Sequence, residues 1–198
     1  MGPLPADSNG YVTFGCLNNF GKINSSMLEV WKKILSSVPG SRLIVLPPKG
    51  KTARWLLDNL QTDPARLECL PRQDRLEYLA LYHRIDLALD PFPYTGHTTT
   101  LDGLWMGAPV VTLSGPTVAS RGSLSILSNL GLQELAVTTQ DDYAALAINL
   151  ANDLPRLREL RASLRHRIEH SVLTNADNFA RQTESAYRSM WQQWLAKP

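Results

Sequence analysis

The segment Tyr94-Thr95-Gly96-His97-Thr98-Thr99-Thr100 gathers a glycine, a histidine and three consecutive threonines where a helix is set to begin. The first turn of a helix carries N–H groups without intrahelical partners and the positive end of the macrodipole. Hydroxyls added there build a seat for a dianion such as pyrophosphate. Capping accounts for one threonine; three in a row behind a glycine favour the anion. Asp102 stands four residues beyond Thr98, on the same helix face. Its carboxylate would repel phosphate but would accept hydrogen bonds from ribose hydroxyls a few ångströms away; stabilising the helix dipole is the plainer alternative. Lys22, in the earlier loop Leu17-Asn18-Asn19-Phe20-Gly21-Lys22, precedes another helix start, where an ammonium can reach a bound phosphate. On that loop alone a solvated lysine is the simpler reading. Neither G-x-G-x-x-G nor G-x-x-x-x-G-K-[ST] occurs.

The elements that must hold these loops follow from hydrophobic periodicity. Tyr11–Leu17, Arg42–Leu46, Arg66–Leu70, Ile85–Leu89, Pro109–Leu113 and Glu134–Val137 read as strands, and RLIVL is the continuous apolar run of a strand covered on both faces. Asn24 or Ser25 caps a helix with apolar Met27, Val30, Trp31, Ile34 and Val38, ended by Pro39-Gly40. Helices are expected over Thr52–Leu60, from Asp74 to about Tyr82, over Thr98–Met106, Ala119–Asn129, Gln140–Asp153, Pro155–His170 and Asp177–Ala196. Strands separated by single helices require right-handed crossovers and a parallel sheet, so the fold class is α/β, a doubly wound Rossmann-like sheet with C-terminal helices. Residues 1–10 are expected to be a disordered leader, and 11–198 a single domain with a helical tail from about residue 140. In such a sheet ligands bind beyond the carboxyl ends of the strands, where the Lys22 and Thr98 loops lie.

Composition narrows the classes. The 198 residues carry 20 Lys+Arg against 18 Asp+Glu, a net charge of +2, which argues against a protein that grips nucleic acid by charge. The five arginines between Arg156 and Arg167 share a helix with a stripe of Leu157, Leu160, Leu164 and Ile168, and read as a solvated basic face. Cys16 and Cys69 fit neither a disulfide framework nor a metal site and read as buried thiols. No apolar run is long enough to cross a membrane and the first ten residues lack signal-peptide character, so a cytoplasmic chain is expected. Ser120 and Ser123 lie outside any G-x-S-x-G elbow, which leaves a hydrolase without support. Trp191 and Trp194 on the last helix read as packing residues, against this domain or against a further lobe.

The run Asp102-x-x-x-x-Gly107-x-Pro109-Val110-Val111 resembles the acidic-residue and G-x-P-V-V signature of the nucleotide-binding lobe of GT-B glycosyltransferases. More specifically, GHTTTLDGLWMGAPVVTLSGPTVASR, with CLNNFGKI upstream and RIDLALDPFPY between, resembles the C-terminal half of the catalytic region of the O-GlcNAc transferase family, which includes SPINDLY-like members. The resemblance runs from about Tyr11 to the final helix. It implies a nucleotide-sugar donor, UDP-GlcNAc, and a protein acceptor. It places diphosphate contacts on Lys22, His97, Thr98 and Thr99, with Asn19 beside them. It gives ribose to Asp102, the face of uracil to Arg75, and the base edge to the main chain at Gln73.

Transfer leaves negative charge on the departing diphosphate, so Lys22 and the helix amides at His97 would stabilise it as it forms, with Lys22 and His97 in the catalytic role. His97 either donates a hydrogen bond to the donor or holds the loop. No D-x-D motif is present, so no metal or other cofactor is expected. The resemblance also implies an upstream lobe with the acceptor groove, and tetratricopeptide repeats beyond it. The isolated chain is therefore expected to bind nucleotide without transferring sugar. The alternatives are a GDP-fucose-dependent or N-linking relative, or a non-catalytic nucleotide-binding module. No nucleic-acid or membrane partner is expected.

Overall fold

The computed structural model describes residues 2–48, 50 and 52–196. Its six strands, β1 (Thr13–Cys16), β2 (Arg42–Val45), β3 (Leu67–Cys69), β4 (Leu87–Leu89), β5 (Val110–Leu113) and β6 (Ala136–Val137), form one sheet in the order β3-β2-β1-β4-β5-β6. Every pairing is parallel, with Thr13 opposite Arg42 and Phe14 opposite Leu87. This is the expected doubly wound α/β sheet. The order reverses between β1 and β4, the point where such sheets open a crevice.

Alternation along the strands feeds apolar clusters on the two faces. Phe14, Cys16, Leu43 and Val45 join the larger cluster, and Leu17 and Ile44 join a smaller one with Tyr82 and Ile85. The helices are α2 (Ser25–Ser37), α3 (Thr52–Leu60), α4 (Arg75–Leu81), α5 (Thr98–Trp105), α6 (Gly122–Asn129), α7 (Gln140–Asn152), α8 (Leu154–Glu169) and α9 (Ala176–Leu195). Asn24 caps α2 by accepting from Met27 N, and Asp74 caps α4 by accepting from Glu77 N, as their sequence positions require. Gly107 ends the turn after α5 at φ +92°, the left-handed region a glycine enters without strain.

Two expectations are corrected. The leader is ordered: Pro5–Asn9 form a helix, α1, and Leu4 and Ala6 are buried. Ala6 N donates to Asp86 Oδ1 at 2.8 Å, and Arg158 pairs with Asp7 at 2.7 Å, partners far along the chain that no local pattern announces. The arginines of α8 are not a uniformly solvated face. Arg161 is buried and donates to the carbonyls of Ile85 and Gly107, Arg165 lies 3.9 Å over the Trp105 ring, and Arg167 donates to the carbonyl of Leu130. The apolar stripe of Leu157, Leu160, Leu164 and Ile168 is buried as expected. Trp191 and Trp194 stack on each other at 5.3 Å and stay exposed, packing on no core among the described residues. No helix among those residues is long and apolar enough to cross a membrane.

Candidate functional site

The two loops singled out by their chemistry meet at the β1/β4 reversal. After β1 the chain makes a short 3-10 turn, Phe20–Lys22, capped by Asn19, whose Oδ1 accepts from Gly21 N. After β4 it runs through Asp90–Gly96 into α5. The loops are tied together: Lys22 Nζ donates to the Thr95 carbonyl at 2.9 Å, and Asn24 Nδ2 donates to the Phe92 carbonyl at 2.6 Å.

Asp90 fixes the start of α5 from beneath. It is fully buried, and its Oδ1 accepts from Gly96 N at 2.8 Å. Its Oδ2 accepts from the hydroxyls of Thr112 at 2.7 Å and Ser123 at 2.6 Å. A Cβ on residue 96 would stand 2.3 Å from Thr100 Oγ1 and 2.8 Å from Asp90 Oδ1, so only glycine fits against the carboxylate there. Burial raises the Asp90 pKa, against the opposing pull of its hydroxyl and amide donors and of Lys22. Burial also lowers the Lys22 pKa, with Asp90 opposing. Cys16, beneath the same loop, has its thiol pushed up to about 12 by burial and stays protonated, which removes it as a nucleophile.

Above this support lies a cleft of about 880 Å³. Asn19, Gln73, Arg75, Thr98, Thr99 and Asp102 all line it, so the structure brings together six residues expected to bind the donor. Thr98 and Thr99 stand at the first turn of α5, where the unpartnered N–H groups point outward. Thr100 does not join them. Its hydroxyl turns inward to Ser123 at 2.8 Å, so two threonines, not three, face the cleft. Lys22 and His97 stand outside the lining and gather around Tyr94. The Lys22 ammonium lies 4.0 Å from the centre of that ring, and the His97 ring meets it edge-on at 6.4 Å. The imidazole also packs against Gly122, at the start of α6.

Arg75 and Asp102 face each other as a bidentate pair at 2.6 and 2.7 Å. The family resemblance implies a separate ligand contact for each, and the fold joins them. Sequence reasoning also missed Asn18, Tyr78, Leu46, Pro47, Pro48 and Pro71 in the cleft wall. Pro47 and Pro48 follow β2 and Pro71 follows β3, so the rule that ligands sit beyond strand carboxyl ends points to them once it is applied to every strand.

The sheet order and the cleft at its reversal define a Rossmann-like α/β domain, and solved structures that share it include GT-B glycosyltransferases. WaaG, a glycosyltransferase involved in lipopolysaccharide biosynthesis, shares the fold with a TM-score of 0.65 at 15% identity, over 89% of this chain and 48% of that one. The chain belongs to glycosyl transferase family 41, whose family model matches residues 3–183. A solved variant of the Thermobaculum terrenum O-GlcNAc transferase is 39% identical with a TM-score of 0.87, covering 93% of this chain and 36% of that one. The probable UDP-N-acetylglucosamine–peptide N-acetylglucosaminyltransferase SPINDLY of Solanum lycopersicum is 42% identical over 199 aligned positions, 97% of this chain. The chain spans about a fifth of the length of such curated relatives, 21% for the tomato protein.

Proposed function

We propose that this chain is the donor-binding lobe of an inverting, metal-independent glycosyltransferase that takes UDP-GlcNAc and delivers its sugar to protein acceptors. The observation that carries this reading is the cleft at the β1/β4 reversal, where a helix N-terminus, two free threonines and the Arg75–Asp102 pair share one wall. The amides of Thr98 and Thr99 meet the diphosphate, and their dipole favours the charge that develops on it as the sugar departs. Lys22, held by Thr95 within the adjoining loop, supplies an ammonium for the same charge. The acidic groups flanking β4 support the metal-independent part of the reading. Asp86 accepts from Ala6 N and Thr13 N, and Asp90 from three donors, so both carboxylates serve the fold. The upstream lobe, its acceptor groove and the tetratricopeptide repeats are partners that the family resemblance adds, and the cytoplasm is the compartment it fits.

Calorimetric titration tests the donor. UDP binds at least roughly tenfold tighter than GDP, a difference of about 1.4 kcal/mol. Equal affinity, or none, overturns the uridine assignment. Incubated alone with UDP-GlcNAc and an acceptor peptide, the chain releases no UDP above background; turnover would refute its dependence on a second lobe.

The Arg75–Asp102 pair makes a further expectation. Because each side chain is held by the other, their contributions to UDP affinity are not additive. Asp102→Ala weakens UDP binding, and adding Arg75→Ala to it costs little more. Full additivity in the same titration shows two independent contacts.

A further inference from the structure

Asn18 is the residue of the cleft whose chemistry is left open by everything above. It is 7% exposed, and its Oδ1 is buried without a hydrogen-bond partner. A buried acceptor left unpaired is costly, and in a native fold it asks for an explanation. Two hollows meet at this side chain. One is the cleft, and the other is a space of about 10 Å³ behind it, bounded also by Asp90, Thr99 and Tyr82. That second space is at the lower limit for a single water. The cleft is the roomier source of a partner.

The position of Asn18 selects the kind of partner. Asn18 lines the cleft together with Thr99, at the anion-seeking end of α5, and with Tyr78 and the Arg75–Asp102 pair. The span between them is where a nucleoside diphosphate would place its pentose. A carboxyl-type oxygen suits a hydroxyl and not a phosphate, since two acceptors repel. Both oxygens of Asp102 are already engaged by Arg75, whereas the Asn18 oxygen has no hydrogen-bond partner. The terminal torsion of an asparagine is broad and roughly two-fold, so the carboxamide can turn either its oxygen or its amide to the cleft, and a ribose hydroxyl, both donor and acceptor, pairs with either.

We propose that Asn18 is a specificity-determining residue of the donor site, its carboxamide pairing with a ribose hydroxyl of the bound nucleotide. The inference rests on the donor-lobe reading and adds a residue to it. The Asn18 oxygen is left unpaired in the free chain and is satisfied by ligand, which links occupancy of the cleft to the polar balance of its floor.

The test is a titration cycle with UDP and 2′,3′-dideoxyuridine diphosphate on the unsubstituted chain and on Asn18→Leu. The unsubstituted chain prefers UDP, and the substitution reduces that preference roughly tenfold, the scale of one hydrogen bond. Affinity for the dideoxy ligand changes little. Thermal unfolding of Asn18→Leu is unchanged or raised, because an apolar side chain of similar shape removes an unpaired acceptor. Asn18→Ser, which withdraws the carboxamide without adding bulk, gives the same loss of preference. Equal losses on both ligands, or none, overturn the assignment. So does a fall in thermal stability with the preference intact, which makes Asn18 the anchor of a buried water. Failure of the unsubstituted chain to bind UDP sinks the donor-lobe reading and this inference with it, whereas UDP binding that ignores residue 18 sinks this inference alone.

Discussion

A chain carrying Asp90→Ala unfolds at a temperature roughly 10 °C or more below the unsubstituted protein, as a loss of about 3–5 kcal/mol implies for a domain of this size. Asp90 is 1% exposed and accepts from Gly96 N, Thr112 Oγ1 and Ser123 Oγ. Alanine strands the Gly96 amide and the Thr112 hydroxyl, while the Ser123 hydroxyl still reaches the Gly96 carbonyl at 3.0 Å, and each unpaired buried donor costs about 1–3 kcal/mol before relaxation. Asp90→Asn costs markedly less. It keeps the shape and one acceptor, and the Thr112 and Ser123 hydroxyls can turn to accept from its amide. Differential scanning calorimetry of both variants decides the matter. An alanine variant that melts with the unsubstituted chain shows that Gly96 and the start of α5 are held by something else. UDP binding should fall with stability, since the same carboxylate seats the helix whose amides meet the ligand.

The same residue sets a pH dependence with a definite sign. Burial raises the Asp90 pKa above its ordinary 3.8. Over the interval between the unfolded and folded values, the folded chain therefore holds a proton that the unfolded chain has lost. Stability contributed by this group is full below the unfolded value and declines as pH rises through the folded one. The stability of the unsubstituted chain relative to Asp90→Asn, which cannot titrate there, thus grows as pH falls from neutrality towards 4. Comparison with the asparagine variant cancels the other acids, including Asp86, also raised by burial, and Asp7, lowered by its bond to Arg158. Denaturant unfolding of the two chains at several pH values reads the difference directly, and a difference that shrinks on acidification reverses the sign.

What the sequence disclosed, and what it hid, divides along the reach of the interactions. The sheet was legible because strands such as RLIV, covered on both faces, are apolar without alternation, and because single helices intervene. The cleft was legible because its chemistry sits in two loops that follow strands, where threonines behind Gly96 have no structural need to be so many. The fate of Thr100 was not, since its turn inward depends on Ser123, which lies 23 residues away. Nor was the ordering of Pro5–Asn9, whose proline- and glycine-flanked stretch looks like a leader until Asp86, 80 residues on from Ala6, accepts its amide. Arg161 reads as one surface arginine among several, and only the approach of the Ile85 and Gly107 carbonyls makes it an internal tie. The family resemblance points to Asn19. The fold spends the Asn19 oxygen on Gly21 and leaves the Asn18 oxygen unpaired, a distinction that adjacent identical residues cannot show.

Joint replacement of Lys22 and Thr98 by alanine abolishes detectable UDP binding. Thr98 opens α5, and its hydroxyl is exposed at the mouth of the cleft beside the free amides of the first turn. Its loss removes one donor and leaves the dipole. Lys22 contributes differently, because its ammonium rests on the Thr95 carbonyl at 2.9 Å and over the Tyr94 ring at 4.0 Å, in contact with the loop that feeds α5. Burial already lowers its pKa, so part of the cost of desolvating that charge is met before a ligand arrives, and an incoming diphosphate gains a charge-assisted partner at small further expense. A charge-assisted hydrogen bond contributes about 1.5–3 kcal/mol and a neutral one about 0.5–1.5, so the pair removes on the order of 2–4 kcal/mol, or roughly 30- to 1000-fold in affinity. At the upper end of that range, binding of a nucleotide held in the micromolar range passes beyond calorimetric reach. Lys22→Ala accounts for the larger share, and Lys22→Arg, whose planar guanidinium fits the Thr95 carbonyl poorly, restores only part of it. Unchanged UDP affinity in the double variant would detach the diphosphate from this helix end altogether. In that event the cleft would still hold a ligand, but its polarity would run the other way, with the anion at Arg75.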